Sequence, residues 1–286
     1  MGSPKLTKFK LVYQQHLLVM KTDPESHMRL TQHQMLPDEV ENFKREMQSD
    51  GYIVVPNIFT TDDVDKIETM LLEAIQVVLK NEAPEFCLPS DSLTDKDILL
   101  LLSKVRKTHP ELSKQLRRQI ITTISYNVPQ VLKENVALIF VIEQILGLTN
   151  IQYNLFLTSI CLPHSRNISE GLLGWHQDLG GAGKYTIWAP ILDHDSFHDG
   201  YLNFMIGDFG PLPHTVISEN INDVNTISEA ELPNGEVVRV SCRKGDVIIW
   251  NDMALHATGA NRSEISRFAF LVWVDGVALQ SRDIVE

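Results

Sequence analysis

The spacing of apolar residues changes near the middle of the chain. Up to about residue 147 they recur every three or four positions. From Asn150 onward they alternate, or run in short blocks, between clusters of Gly, Pro, Asn and Asp. The first pattern predicts helices. Pro37-Asp38-Glu39 opens one that passes through Phe43 and Met47 and stops at Asp50-Gly51. Tyr52–Val55 is short, β-rich and ended by Pro56, so it predicts a strand. Thr60 or Thr61 caps an amphipathic helix whose apolar face is Val64, Ile67, Leu71, Ile75 and Val78, running to Lys80. Residues 95–147 read as mainly helical, punctuated by Pro110 and Pro129, with the run Leu99 to Leu102 as core. The second pattern predicts strands at Tyr153–Cys161, Lys184–Ile191, Leu202–Ile206, Val237–Val240, Asp246–Trp250 and Ile265–Val274. Helices followed by antiparallel strands imply one sheet-based core buttressed by helices. The expected organisation is an N-terminal extension of uncertain order over 1–35 and a single domain over 36–286. Its helical elements lie mostly in 36–147 and its β core mostly in 150–275. The chain has no internal repeat and no low-complexity tract.

A hydrophobic share of 43% and a charged share of 22% are those of an ordinary globular chain. Twenty-five basic against 37 acidic residues leave a net charge of −12, which argues against nucleic acid or an anionic membrane surface as partner. A small anionic ligand is not excluded, because one buried Arg sets its own local field. No apolar run has the roughly 18–20 residues needed to span a bilayer. The apolar residues near the N-terminus are broken by Tyr13, Gln14, Gln15 and His16, a poor signal peptide. Leu6 stands where a myristoylation motif wants Ser or Thr. Cys87, Cys161 and Cys242 form neither a disulfide framework nor a zinc ribbon, so reduced cytoplasm is the expected compartment. Asn167-Ile168-Ser169 and Asn261-Arg262-Ser263 match the glycosylation pattern by chance.

Three stretches carry candidate chemistry. In Gly174-Trp175-His176-Gln177-Asp178, an extended backbone sends His176 and Asp178 to one side and Gln177 to the other. An imidazole and a carboxylate so placed are two ligands for a metal of intermediate hardness. In the second, a turn at Gly245-Asp246 feeds a strand of buried type that ends close to His256. If that strand faces the first motif across a barrel, His256 completes two histidines and one carboxylate on one face of a metal. That arrangement leaves positions open, as iron(II) oxygenases require. In the third, Arg267 and Ala269 share the strand face opposite Ser266 and Phe268, toward the interior. A buried guanidinium needs a partner and suits a carboxylate held bidentately.

Together these stretches resemble the phytanoyl-CoA dioxygenase family. The resemblance rests on WHQD (175–178), on GDVIIWNDMALHATGAN (245–261) and on an arginine eleven residues after the distal histidine. More weakly it includes SDGYIVVPNIFTTDDVDKI (49–67), and it covers Leu36 to Asp275. It implies a mainly β fold with flanking helices around a double-stranded β-helix, the jelly-roll or cupin-like core. It implies iron(II) held by His176, Asp178 and His256, with 2-oxoglutarate as cosubstrate and O2 as oxidant. Arg267 would hold the distal carboxylate of 2-oxoglutarate, Thr258 would support it, and Asn154 would add a polar contact. Trp188 would stand in the wall of the site. The basic residue that often precedes the motif in relatives could only be Arg166 or His164, and Pro213-His214 falls where the family has a His after a Gly-rich run. The implied activity is hydroxylation, desaturation or oxidative cyclisation of a small-molecule metabolite, with decarboxylation of 2-oxoglutarate to succinate. Related halogenases replace the carboxylate ligand with a small residue. Asp178 therefore argues against halogenation.

Blander readings stand beside these. His176 and Asp178 alone could be a surface pair, Arg267 a structural ion pair, Thr258 a turn hydroxyl and Trp188 core. His194, His198 and His214, with Asp193, Asp195 and Asp199 around them, read as a solvated loop rather than a second metal site. Arg166 and Lys184 are candidates to meet an anionic substrate. Two other functions fit the same triad: a zinc-dependent hydrolase, which has no need of Arg267, and a non-catalytic metabolite-binding protein. Substrate contacts are expected from loops within Asn81–Ser92, His164–Gly171 and Asp193–Gly200. Neither substrate nor oligomeric state is written in the sequence.

Overall fold

The computed structural model describes residues 35–86, 95–127, 135–166, 171–178, 184–192, 201–219 and 222–278. The extension before residue 35, and the loop carrying His194 and His198, lie outside the described residues. Helix α1 (Pro37–Asp50) begins where the Glu39 carboxylate accepts the Leu36 N–H at 2.8 Å, and ends at Gly51. There φ is 77°, a left-handed conformation that glycine adopts without strain, and the Gly51 N–H closes on Met47 O. Strand β1 (Tyr52–Val55) follows. Helix α2 (Thr61–Glu82) is capped by Thr60: its hydroxyl accepts the Asp63 N–H, and the Asp63 carboxylate accepts the Thr60 N–H. Helices α3 (Asp95–Thr108), α4 (Pro110–Asn127) and α5 (Val136–Gln144) complete the helical part. None of the described helices is long and apolar enough to cross a membrane.

Strand β2 runs Leu148–Cys161 and β3 Tyr185–Pro190. They are followed by β4 (Leu202–Ile206), β5 (Thr215–Glu219), β6 (Asn222–Thr226) and β7 (Glu236–Val240). The last three are β8 (Val247–Asn251), β9 (Leu255–Thr258) and β10 (Arg267–Ala278). One antiparallel sheet has the order β1-β8-β3-β10-β2 and a second the order β7-β4-β9, while β5 and β6 pair as a hairpin. The sheets face each other. Tyr52, Val54, Trp188, Ile248, Trp250 and Ala269 of the first sheet form one buried cluster with Leu202, Phe204, Val238 and Val240 of the second. Tyr52 stacks on Phe204 with ring centroids 4.3 Å apart, and Trp250 meets Phe204 edge-on at 5.7 Å. The alternate residues of the first sheet, among them Ile53, Val55, Ile187, Ile249, Phe268 and Phe270, face outward and pack with the helices in a larger core. Ile67, Leu71, Ile75, Leu79, Leu102, Leu116 and Ile120 meet them there. Each such side chain contributes on the order of 1.5–3 kcal/mol when fully buried. Two facing antiparallel sheets with helices on one outer face make a jelly roll.

Every expected strand is present within a few residues, but three elements were not foreseen. The hairpin β5–β6 lies in a polar stretch without clear alternation. Strand β9 is separate from β8, divided from it by a turn in which the Ala254 N–H donates to Asn251 O at 3.1 Å. The His176–Asp178 segment is not a regular strand: it makes one isolated bridge, His176 to His256, beside the second sheet. The ladder does not continue past that bridge, yet Gln177 still turns to the side opposite His176 and Asp178.

Candidate active site

His256 lies on the inner face of β9, with its ring 4.8 Å from Trp250 and 5.8 Å from Phe204, centroid to centroid. The adjacent segment reaches it through paired bonds, His176 N–H to His256 O at 2.9 Å and His256 N–H to His176 O at 3.0 Å. The two imidazoles are thereby 4.1 Å apart. Each ring is oriented by a backbone carbonyl two residues earlier: His176 Nδ1 is 2.8 Å from Gly174 O, and His256 Nδ1 is 3.0 Å from Ala254 O. A carbonyl only accepts, so both Nδ1 atoms carry the proton and both Nε2 lone pairs are free.

Asp178 supplies the third donor. Its Oδ2 accepts from Thr186 Oγ1 at 2.6 Å and from Trp250 Nε1 at 2.9 Å. Thr186 and Trp250 are cross-strand partners on β3 and β8, so one pair of neighbours holds one carboxylate oxygen. The other, Oδ1, lies 3.9 Å from His176 Nε2 and 4.0 Å from His256 Nε2. Both spans are within the roughly 4.2 Å reach of two metal bonds of about 2.1 Å each. Among the described residues, these three form a group of ligating side chains whose donor atoms all lie within 4.8 Å of one another. Burial, and next the neighbouring His256, push His176 down to about 4, so it is neutral at physiological pH. Burial alone would raise the Asp178 carboxyl. The two imidazoles and the bonds from Thr186 and Trp250 outweigh burial and keep it below the ordinary carboxylate range. Two imidazoles whose Nε2 atoms face one carboxylate oxygen fit a divalent first-row metal.

Arg267 begins β10, only 2% exposed. Its Cζ is 5.5 Å from the centroid of Trp188, whose indole belongs to the inter-sheet core. The turn before it is fixed by Asn261, which is fully buried: its Nδ2 donates to Cys161 O at 3.0 Å and Ile265 O at 2.7 Å, and its N–H donates to Ser165 Oγ. That burial also removes Asn261 as a glycan acceptor. Thr258 is buried, opposite Leu202 and on the same face of β9 as His256. Asn154 falls on β2 at a bulge, where the pairing with β10 shifts between Trp273 and Val274; its side chain lies outside the described residues. Arg166 is exposed. Lys184 is 57% exposed and stands 3.8 Å from Asp275, while His164 stands 3.2 Å from Glu264. His214 does not join a second metal group: its Nε2 accepts the Gln177 N–H and its Nδ1–H donates to Leu212 O. Thr186 and Trp250 escaped sequence reasoning. Their only signal was that each faces inward on a strand next to the motif.

Residues 214–269 match the sequence profile of the phytanoyl-CoA dioxygenase family, a segment that holds His256, Thr258 and Arg267. No curated protein matches the chain. Among solved structures, the non-haem monooxygenase ThoJ aligns with a TM-score of 0.51 at 17% identity, covering 83% of this chain and 80% of ThoJ. EctD from S. alaskensis, solved with 2-oxoglutarate and 5-hydroxyectoine, aligns at 0.48 and 14% identity over 88% and 82%. The epimerase SnoN, solved with Fe3+, alpha ketoglutarate and nogalamycin RO, aligns at 0.47 and 16% over 84% and 85%. At such identities the likeness speaks to the fold, and the argument for the fold rests on ThoJ. The chain thus resembles the phytanoyl-CoA dioxygenase family over residues 214–269, and its jelly roll brings together a His-Asp-His group that could hold a metal ion.

Proposed function

We propose that this chain oxidises a C–H bond of a small-molecule metabolite, by hydroxylation, desaturation or oxidative cyclisation, coupled to decarboxylation of 2-oxoglutarate to succinate. The observation that carries the reading is the convergence of His176 Nε2, His256 Nε2 and Asp178 Oδ1, with every remaining polar atom of the three side chains already engaged. These atoms would hold iron(II). Bound iron with 2-oxoglutarate and O2 would supply the oxidising power. The protein's own part is positional. Arg267 grips the distal carboxylate of 2-oxoglutarate with its fork and Thr258 offers a hydroxyl beside it. Trp188 walls the cosubstrate space and Asn154 contributes a polar contact. The inter-sheet core of aromatic and aliphatic side chains keeps water out behind the site. The retained carboxylate of Asp178 fills the position that a halide would need.

The test is anaerobic addition of iron(II) and 2-oxoglutarate to metal-free protein, followed by the metal-to-ligand charge-transfer absorption of the chelate. The expected result is a band in wild type that needs at least about tenfold more 2-oxoglutarate in Arg267→Ala, which loses a charge-assisted, bidentate contact. Tight zinc binding without such a band, and a hydrolytic activity indifferent to Arg267→Ala, would overturn the proposal in favour of a hydrolase. 2-Oxoglutarate binding without succinate formation in the presence of O2 would instead mean a binding protein.

A further inference from the structure

Gln177 sits between two of the proposed ligands and turns its side chain away from them into the fold, where it is 4% exposed. Its amide is fully used. Nε2 donates to Gly210 O at 2.9 Å and to Met253 O at 2.8 Å, and Oε1 accepts the Leu212 N–H at 2.8 Å. The backbone N–H of Gln177 donates to His214 Nε2 at 3.0 Å, and His214 Nδ1–H donates to Leu212 O at 2.8 Å. These partners come from two places. Gly210, Leu212 and His214 belong to the loop between β4 and β5, and Met253 lies in the turn three residues before His256.

We propose that Gln177 and His214 are positioning residues, a clasp that fixes the spacing of His176, Asp178 and His256 before any metal arrives. The inference rests on the proposed metal role of that triad. The backbone bonds of this segment to β9 are the bridge at His176 and the Thr258 N–H to Leu173 O at 2.9 Å, both at or before His176, so no ladder sets the geometry from His176 on to Asp178. The bond to His214 fixes the rotation of the peptide that joins His176 to Gln177. The side-chain bonds fix the direction of the Gln177 Cα–Cβ bond, and the Cα of Asp178 follows from both. The bond to Met253 O ties the same residue to the turn that delivers His256. His214 must accept and donate at once, which a neutral imidazole protonated on Nδ1 does. A phenyl ring does neither, whereas a primary amide does both.

The clasp is tested by anaerobic titration of metal-free wild type, His214→Phe, His214→Gln and Gln177→Met with cobalt(II), reading affinity and the d–d spectrum. Melting temperature and far-UV circular dichroism are measured alongside. His214→Phe and Gln177→Met should bind cobalt(II) at least about tenfold more weakly and with an altered spectrum, as losses of outer-shell partners do. His214→Gln should recover part of both. Wild-type spectra in both variants with affinity within about twofold would overturn the proposal. So would weaker binding that merely follows a lower melting temperature with an unchanged spectrum. If His214→Phe does not fold, Gln177→Met decides. Cobalt(II) binding needs no 2-oxoglutarate, so the two readings fail separately. A wild type that binds cobalt(II) yet forms no iron(II) chelate refutes the oxygenase proposal while the variant ratios still judge the clasp. A chelate formed equally well by all variants refutes the clasp alone.

Discussion

Thr186→Val removes one hydroxyl from the site and changes almost nothing else. The side chain is 1% exposed, and valine has nearly its volume, so no cavity opens. What is lost is the 2.6 Å bond to Asp178 Oδ2, leaving that oxygen with Trp250 Nε1 alone. A bond to a buried carboxylate is worth about 1.5–3 kcal/mol. Metal-free protein should therefore be less stable by roughly that amount above the pKa of Asp178, a fall in melting temperature of about 3–12 °C for a chain of this size. Because the bond also orients the carboxylate so that Oδ1 faces the two Nε2 atoms, metal affinity should drop by about 10- to 100-fold. Thr186→Ser, which keeps the donor, should restore much of both. The assays are urea or thermal unfolding of metal-free protein and anaerobic iron(II) titration. If Thr186→Val matches wild type in both, Thr186 does not hold Asp178 and the account of how this carboxylate is oriented is wrong.

Metal-free protein should lose stability on acidification. His176 has a folded value of about 4, below the 6.5 of an exposed imidazole, so the unfolded chain takes up the proton first. The stability is present above pH 6.5 and about 3 kcal/mol of it is gone by pH 4; a flat unfolding free energy between these limits would contradict the burial of His176. Asp178, held below the ordinary carboxylate range, is shifted in the same direction, so its contribution is likewise lost on acidification, but only at still lower pH. Asp178→Ala should abolish iron(II) retention and succinate formation together, and full retention of either would exclude this carboxylate as a ligand.

The helices and strands were legible because burial in this fold is one-sided. Val64, Ile67, Leu71, Ile75 and Val78 face one core at helical spacing. The alternation in β10 divides Ala269, which faces the second sheet, from Phe268 and Phe270, which face the helices. The convergence of His176, Asp178 and His256 and the burial of Arg267 were legible for a different reason: a metal-ligand set and a buried guanidinium would require particular residue types at fixed local spacing. The hairpin β5–β6 left no such trace, because its stretch is polar and carries no clear two-residue alternation. Nor could the sequence show that β9 is divided from β8 by a turn, or that the His176 segment meets it by one bridge.

Local sequence thus determined which side chains are candidates for the chemistry and which way each strand presents them, since both follow from residue type and the two-residue period of an extended chain. Only the tertiary structure decided who stands behind them. Thr186 and Trp250 meet Asp178, and Gln177 meets His214 and Met253, across separations of 8 to 76 residues. Such partners are chosen by strand order and loop path, which no local pattern encodes.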